Sequence, residues 1–254
     1  MIELGGQGLL LHWPVNPTIK SRKELMRTCK AAGCGKLAAG YSTLCDNHRK
    51  TKSRHGHPLQ TAVRRRELEP YEKAVKRWLE TRSSPEAWNI LEDHWKALTA
   101  SCGAYRERVG HGRPYQKNIR QACETILRVD AEKHHREAII RVLAMGYLRY
   151  SQPRRFQSEQ AYHFQVARQF RSLTDASVGI HWDHEAGRTK RVYRDVSPRT
   201  LKALWNKLLE AKLPIYGEMI GKADMEERSR RTYKLDEVKR ALLGATAAGS
   251  EAPQ

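Results

Sequence analysis

Three of the five cysteines of this 254-residue chain lie within one short segment, and a histidine follows closely behind the last of them. The spacing is Cys29-x4-Cys34-x10-Cys45-x2-His48. Two residues between Cys45 and His48 place both side chains on the first turn of a helix. Three thiolates and one imidazole complete the tetrahedral coordination of Zn²⁺ and leave no position open for water. The sequence therefore predicts one structural zinc ion, bound by Cys29, Cys34, Cys45 and His48.

The alternative interpretation is that these cysteines are ordinary reduced residues of a small core. The segment has few other apolar side chains with which to build such a core. Its glycines, Gly33, Gly35 and Gly40, permit the tight backbone turns that bring separated ligands together. These observations favour a metal-folded module over a core of cysteines.

The same segment resembles the small treble-clef-like zinc modules of bacteriophage and mobile-element proteins. The stretches "CKAAGC", "GYSTLCDNH" and "RKTKSRHGHP" follow the order and spacing of that pattern. The resemblance implies metal ligation by the four residues named above and nucleic-acid contact by the basic helix that follows. It covers about 35 of the 254 residues. The sequence departs from the pattern at His57, where an acidic residue is usual, and by an insertion in "GYSTLC".

The overall charge of the chain is strongly positive. The 47 lysines and arginines exceed the 28 acidic residues and give a formal net charge of +19. A folded protein of this charge repels itself, so a polyanionic partner is expected, and nucleic acid is the commonest one. The resemblance favours double-stranded DNA over RNA. A solvated basic surface with no such partner is the alternative.

Basic residues follow the metal-binding segment directly, and residues 49–66 contain no acid. We expect this stretch to contact phosphates through counterion release, unless it is a solvated linker. The predicted contact residues here are Arg49, Lys50, Lys52, Arg54, His55, Arg64, Arg65 and Arg66.

A second basic region is predicted near the C-terminal end. The stretch "VGIHWDHEAGRTKRVYRDV" reads as a β-hairpin near residues 178–194, with Arg188, Lys190 and Arg191 on its second strand. A helix capped by Ser197 follows, and its outer face carries Arg199, Lys202 and Asn206. Such a helix fits a major groove, although an ordinary amphipathic helix has the same pattern.

The fold class predicted is mainly α, with a helical body, a small N-terminal zinc-binding module and this one hairpin. Apolar residues recur at helical spacing in several stretches, which predicts buried helix faces at Trp88, Leu91, Trp95 and Leu98, at Ile139, Val142 and Leu143, and at Leu201, Leu204, Trp205 and Leu208. The Gly-rich "ASCGAYRERVGHGRP" predicts a break. A last weak helix is expected over about Leu235–Leu243.

The predicted organisation is a leader over 1–25, the module with its basic tail over 26–66, the helical body over 67–175, the second contact region over 176–243 and a disordered tail over 244–254. Met26 is a candidate natural start, which would place the leader and its Gly5-Gly6-x-Gly8 patch outside the native protein.

The search for an enzyme site finds no established catalytic motif such as a P-loop or a nucleophile elbow. The group from His181 to Glu185 is the one candidate for a DNA endonuclease. A ββα nuclease needs metal ligands on the following helix, and that helix contains neither His nor Asp. Cys102, Cys123 and His111 are a weaker candidate for a second metal site, since their spacing is irregular and a fourth donor is missing.

The predicted function is therefore non-enzymatic, zinc-dependent DNA binding by a regulatory or DNA-organising accessory of a bacteriophage or mobile element. A protein-interaction scaffold is the second alternative beside the endonuclease. No apolar run is long enough to cross a membrane, so no membrane partner is expected. The odd number and uneven spacing of the cysteines argue against a set of disulfides, and the N-terminus lacks a secretory signal. These features predict a bacterial cytoplasmic, nucleoid-associated location.

Overall fold

A computed structural model describes residues 27–82, 84, 86–132, 135–174, 177–183, 187–193 and 196–248. The predicted leader with its glycine patch, Met26, and the last six residues of the tail lie outside this part. The α-helices are α1 Asp46–His55, α2 Arg65–Thr81, α3 Glu86–Gly110, α4 Lys117–Glu132, α5 His135–Ser151, α6 Glu159–Arg171, α7 Pro198–Glu210 and α8 Leu213–Ala248. A short 3₁₀ turn covers Pro153–Arg155, and two strands are β1 Ser177–Asp183 and β2 Arg188–Tyr193.

The chain divides into two compact units, and the boundary falls within α1, between Asn47 and His48. The first unit has a small core of its own, built from Cys29, Ala31, Leu44 and Cys45. The second unit contains the helical core. The chain divisions predicted at residues 66 and 175 stay predictions.

Helix α5 is the centre of the helical unit. Ten of the residues from Ala138 to Leu148 are buried. Helices α2, α3, α4, α6 and α8 all contact α5. A helix that is apolar nearly all round must be enclosed by its neighbours. The sequence pattern indicated only one apolar face, at Ile139, Val142 and Leu143.

The amphipathic faces of the surrounding helices are confirmed. Leu91, Trp95 and Leu98 of α3 are buried, and so are Leu201, Leu204, Trp205 and Leu208 of α7. Ser197 is the N-cap of α7, as predicted, and its hydroxyl accepts a hydrogen bond from the Thr200 N–H at 3.1 Å. Local spacing was sufficient for these elements because each face is defined by residues three and four positions apart.

Two boundaries differ from the sequence prediction. Helix α3 runs without a break through Gly103 to Gly110, because one glycine costs a helix only about 1 kcal/mol and buried Cys102 anchors this turn in the core. The weak helix expected at Leu235–Leu243 is the end of the 36-residue α8, which continues to Ala248 into the stretch predicted as a disordered tail. In its first half, Gly217 and Gly221 lie directly against α5, where an added Cβ would meet Leu143 and Tyr147.

Strands β1 and β2 pair antiparallel in the region where the sequence predicts a hairpin, with Trp182 opposite Thr189 and Asp183 opposite Arg188. The register shifts between Ser177 and Gly179. None of the described helices combines the length and apolar content that crossing a membrane requires.

Candidate metal centre and nucleic-acid interface

The first two cysteines flank a tight turn. An antiparallel bridge between Thr28 and Leu37 closes it, and the Cys29 N–H donates to the Lys36 carbonyl at 2.8 Å. The Cys34 N–H donates to the Ala31 carbonyl at 3.1 Å. Gly33, between them, has φ +73°, a conformation that costs glycine little and other residues more. The sequence CKAAGC thus folds locally into a turn that places Cys29 and Cys34 on the same side.

The other two candidate ligands lie at the start of α1. Cys45 immediately precedes the helix and His48 lies in its first turn, so the x2 spacing works as expected. The Lys30 N–H donates a hydrogen bond to the Thr43 carbonyl at 2.9 Å, which connects the first turn to the segment before Cys45. This backbone pairing brings two distant parts of the segment together.

The donor atoms of Cys29, Cys34, Cys45 and His48 all lie within 4.8 Å of one another. The Cys34 and Cys45 sulfur atoms are 4.0 Å apart. These four residues lie close enough to hold one metal ion, and three sulfur donors with one nitrogen suit a borderline-soft cation.

The thiols of this cluster crowd one another. A hydrogen bond from the Lys36 backbone lowers the pKa of Cys34. Burial and the hydrogen bonds with Cys29 and Cys45 raise this pKa, and together they outweigh the lowering, so the pKa of Cys34 is above its ordinary value. Without a cation, adjacent thiolates would place like charges together. A bound divalent metal removes this cost, because it stabilises the deprotonated form of every ligand.

Helix α1 presents a basic face. Arg49, Lys50, Lys52 and Arg54 are all exposed, and none of the helix residues is fully buried. Asp46 in its first turn and the basic residues of its last turn suit the helix dipole. A ten-residue helix is nevertheless marginal in water by itself, so this face needs support at both ends of the helix.

The support at the C-terminal end of α1 comes from α6. The His55 Nδ1 lies 3.0 Å from the Gln165 Nε2. A Cβ at Gly56 would lie 2.5 Å from the Gln160 carbonyl oxygen, so only glycine allows the backbones to approach this closely. The His55 side chain, predicted to contact nucleic acid, is therefore half-buried and bonded inside the protein.

The segment after α1 is pinned to α6 by buried glutamines. The Val63 N–H donates to the Gln165 Oε1 at 2.9 Å, and the Val63 carbonyl accepts from the Gln169 Nε2 at 2.5 Å. Gln60, 2% exposed, accepts from the Gln157 N–H at 3.0 Å. A solvated linker would have none of these contacts. The sequence prediction did not include these glutamines. Gln165 and Gln169 lie one turn apart beside apolar residues of the same helix, and this pattern could have indicated a buried polar contact.

The second half of the basic stretch begins α2. Arg64, Arg65 and Arg66 are exposed at the start of this helix, where positive charge opposes the helix dipole. Glu67 follows them, but it is committed elsewhere: the Arg155 Nη2 donates to it at 3.0 Å, and this pairing holds the pKa of Glu67 below its usual range. The strongest interaction of Glu67 is therefore with Arg155 rather than with Arg64.

The predicted second contact region is described in part. Arg199, Lys202 and Asn206 are exposed on α7, opposite its buried leucines. Beside them, the Trp205 ring stacks on His163 with ring centroids 4.1 Å apart. The backbones of Arg188, Lys190 and Arg191 belong to β2, and their side chains lie outside the described part of the chain.

The candidates for catalysis and for a second metal gain no support from the described residues. His181 lies in β1 opposite Lys190, and His184 and Glu185 fall outside the described part. Cys102 and Cys123 form a buried thiol pair in which hydrogen bonding, followed by burial, raises the pKa of Cys102. Exposed His111 does not join them, and within the described ranges only Cys29, Cys34, Cys45 and His48 form a group that could hold a metal ion.

No protein-family model matches the sequence, and comparisons with the curated proteins and with the solved structures find no match.

Proposed function

We propose that this protein is a zinc-dependent DNA-binding protein in which one structural Zn²⁺ orders the start of α1 and the basic face of α1 contacts the DNA backbone. The observation that carries the proposal is the cluster of three cysteine sulfurs and one histidine nitrogen immediately before this face. The resemblance of the segment to the zinc modules of phage and mobile-element proteins agrees with it.

The donor geometry supports zinc as the metal. Zn–S bonds of about 2.3 Å at tetrahedral angles separate two sulfurs by about 3.8 Å. The Cys34–Cys45 separation of 4.0 Å is close to this value. With all four protein ligands bound, no coordination position remains for water, so the role of the metal is structural.

The fixed position of the basic residues supports the DNA contact. The contacts of His55, Gly56 and Val63 with α6 hold the end of α1 and the start of α2 within one unit. The basic residues at these two places are consequently displayed in a defined arrangement rather than on a free chain. Preorganised cations lose less conformational entropy on binding phosphates than cations on a flexible tail.

Helix α7 is the proposed second contact. Arg199 and Lys202 are exposed on one face of a well-capped helix, and Asn206 continues that face. Arginine, lysine and asparagine are side chains that contact phosphates and base edges. In this proposal α7 orients the duplex, and α1 contributes most of the phosphate contacts.

The test is binding to a random duplex of about 20 base pairs, followed by fluorescence anisotropy across a salt series. We expect a steep decrease in affinity with salt, because each neutralised phosphate releases counterions. The double variant Lys50→Gln/Lys52→Gln should lower the magnitude of the log–log slope by about two.

Lys222→Gln/Lys239→Gln is the matched control, since both lysines are exposed on α8 and the change in net charge is identical. This control should leave the slope within about half a unit of the unmodified protein. Equal losses for the two double variants would mean that net charge, not α1, determines binding. Weak binding that does not respond to salt would exclude the DNA proposal altogether.

A further inference from the structure

A pocket lined mainly by arginines lies between α2 and α8. Its volume is about 400 Å³, and four guanidinium groups line it, those of Arg77, Arg82, Arg228 and Arg231. Two carboxylates, Asp224 and Glu227, share the lining. All six residues belong to the helical unit, and none of them is part of the metal cluster or the basic face of α1.

The carboxylates hold three of the arginines in place. Glu227 forms an ion pair with Arg82 at 2.8 Å and another with Arg231 at 2.6 Å. Asp224 pairs with Arg228 at 2.6 Å. The acid side chains are 13% and 29% exposed, whereas those of the three paired arginines are 43% to 62% exposed. The two acids are therefore more buried than the three arginines that pair with them.

Asp224 is itself oriented by a buried tyrosine. The Tyr147 hydroxyl donates a hydrogen bond to its carboxylate. Burial, followed by this contact with Asp224, raises the pKa of Tyr147 to about 12, so the phenol remains a neutral donor at physiological pH. Tyr147 and Arg228 both contact the Oδ2 atom of Asp224, so this carboxylate links the buried phenol to the guanidinium of Arg228.

The charges of the lining do not balance. Four guanidinium groups face two carboxylates, which leaves two positive charges uncompensated. Arg77 is exposed, and the structure gives its guanidinium no ion-pair partner among the described residues. If these ion pairs served only to hold α2 against α8, Arg77 would add electrostatic repulsion without contributing an ion pair.

We propose that this arginine pocket binds a phosphate group, with Arg77 as a direct ligand. Guanidinium groups match the oxygens of phosphate in bidentate geometry, and two uncompensated charges suit a phosphate monoester dianion. The phosphate comes either from a free ion or nucleotide, or from DNA. The second source rests on the DNA binding proposed above, whereas the first source is independent of it.

The first arm of the test uses inorganic phosphate as the probe. Phosphorus NMR of phosphate titrated with the full chain, at constant ionic strength in chloride, should give a saturable change. Arg77→Gln should weaken this binding at least about tenfold, since a charge-assisted bond to phosphate is lost. Arg106→Gln removes the same charge from an exposed site on α3 and should change the affinity less than about twofold.

The second arm uses the 20-base-pair duplex, with and without 5′-terminal phosphates. If DNA is the source, Arg77→Gln lowers the magnitude of the salt slope by about one and Arg106→Gln does not. A loss restricted to the 5′-phosphorylated duplex would indicate the terminal monoester, and a loss for both duplexes would indicate the backbone.

The two proposals fail separately. Phosphate binding that depends on Arg77 in a protein that does not bind DNA would support the pocket and exclude the DNA function. DNA binding unaffected by Arg77→Gln, with no saturable binding of inorganic phosphate, would overturn the pocket and leave the DNA function intact. Equal effects of the Arg77 and Arg106 substitutions in both arms would likewise overturn the pocket.

Discussion

Replacing Cys45 with serine is expected to release zinc and to unfold the short segment around it. Zinc measured by mass spectrometry should decrease from one equivalent per chain to nearly none, because three remaining ligands no longer saturate the ion. Residues 27–47 have a core of only a few buried side chains, two of which are the ligands Cys29 and Cys45. Binding free energy of a structural zinc ion is largely folding free energy, so backbone amides in this segment should lose protection from hydrogen exchange.

The helical unit should keep its thermal transition in this variant, because the core around α5 contains none of the four candidate ligands. Cys102→Ala provides the matched control: it removes a buried thiol of α3 and should retain one equivalent of zinc. DNA affinity of Cys45→Ser should decrease together with the zinc content. A Cys45→Ser protein with full zinc and unchanged amide protection would show that the cluster does not bind the metal.

Replacing Gly217 with alanine is expected to destabilise the helical unit strongly. A Cβ at Gly217 of α8 would lie 2.1 Å from the Leu143 carbonyl oxygen, and Gly146 of α5 makes a similar approach to Pro214. These neighbours are helix backbone atoms, which cannot move aside without separating α5 from α8. We expect the free energy of unfolding to fall by about 3 kcal/mol and the melting temperature by about 6–12 °C. Circular dichroism at 222 nm during heating measures both.

Gly103→Ala is the control with the opposite expected sign. Gly103 also lies within a helix, but nothing lies within 4 Å of a Cβ at this position. The same change of residue should here raise the free energy of unfolding by about 0.5–1 kcal/mol, through helix propensity alone. If Gly217→Ala were as stable as Gly103→Ala, the close crossing of α5 and α8 would be wrong.

Features that depend on residues close together in the chain could be predicted from the sequence. The cluster of four residues that could hold a metal ion could be predicted from the spacing of Cys45 and His48 and of the cysteine pair before them, because each pair is joined by a few residues. The buried faces of α3 and α7 followed from helical periodicity in the same way. The packing of α8 on α5 did not, because Gly217 permits a close approach of two backbones but does not indicate which helix approaches it.

The sequence by itself determined which residues could bind a metal, which helix faces are apolar, and that the chain is strongly basic. These properties depend on local spacing and on side-chain chemistry. The tertiary structure decided which helix the basic segment packs against and which side chains lie beside its basic residues. Gln165 and Gln169 reach residues more than 100 positions earlier in the chain to hold the segment after α1. The arginine pocket joins Arg77 to α8 across about 150 residues of chain. Contacts over such separations arise only when helices pack, since packing, not sequence spacing, brings these side chains together.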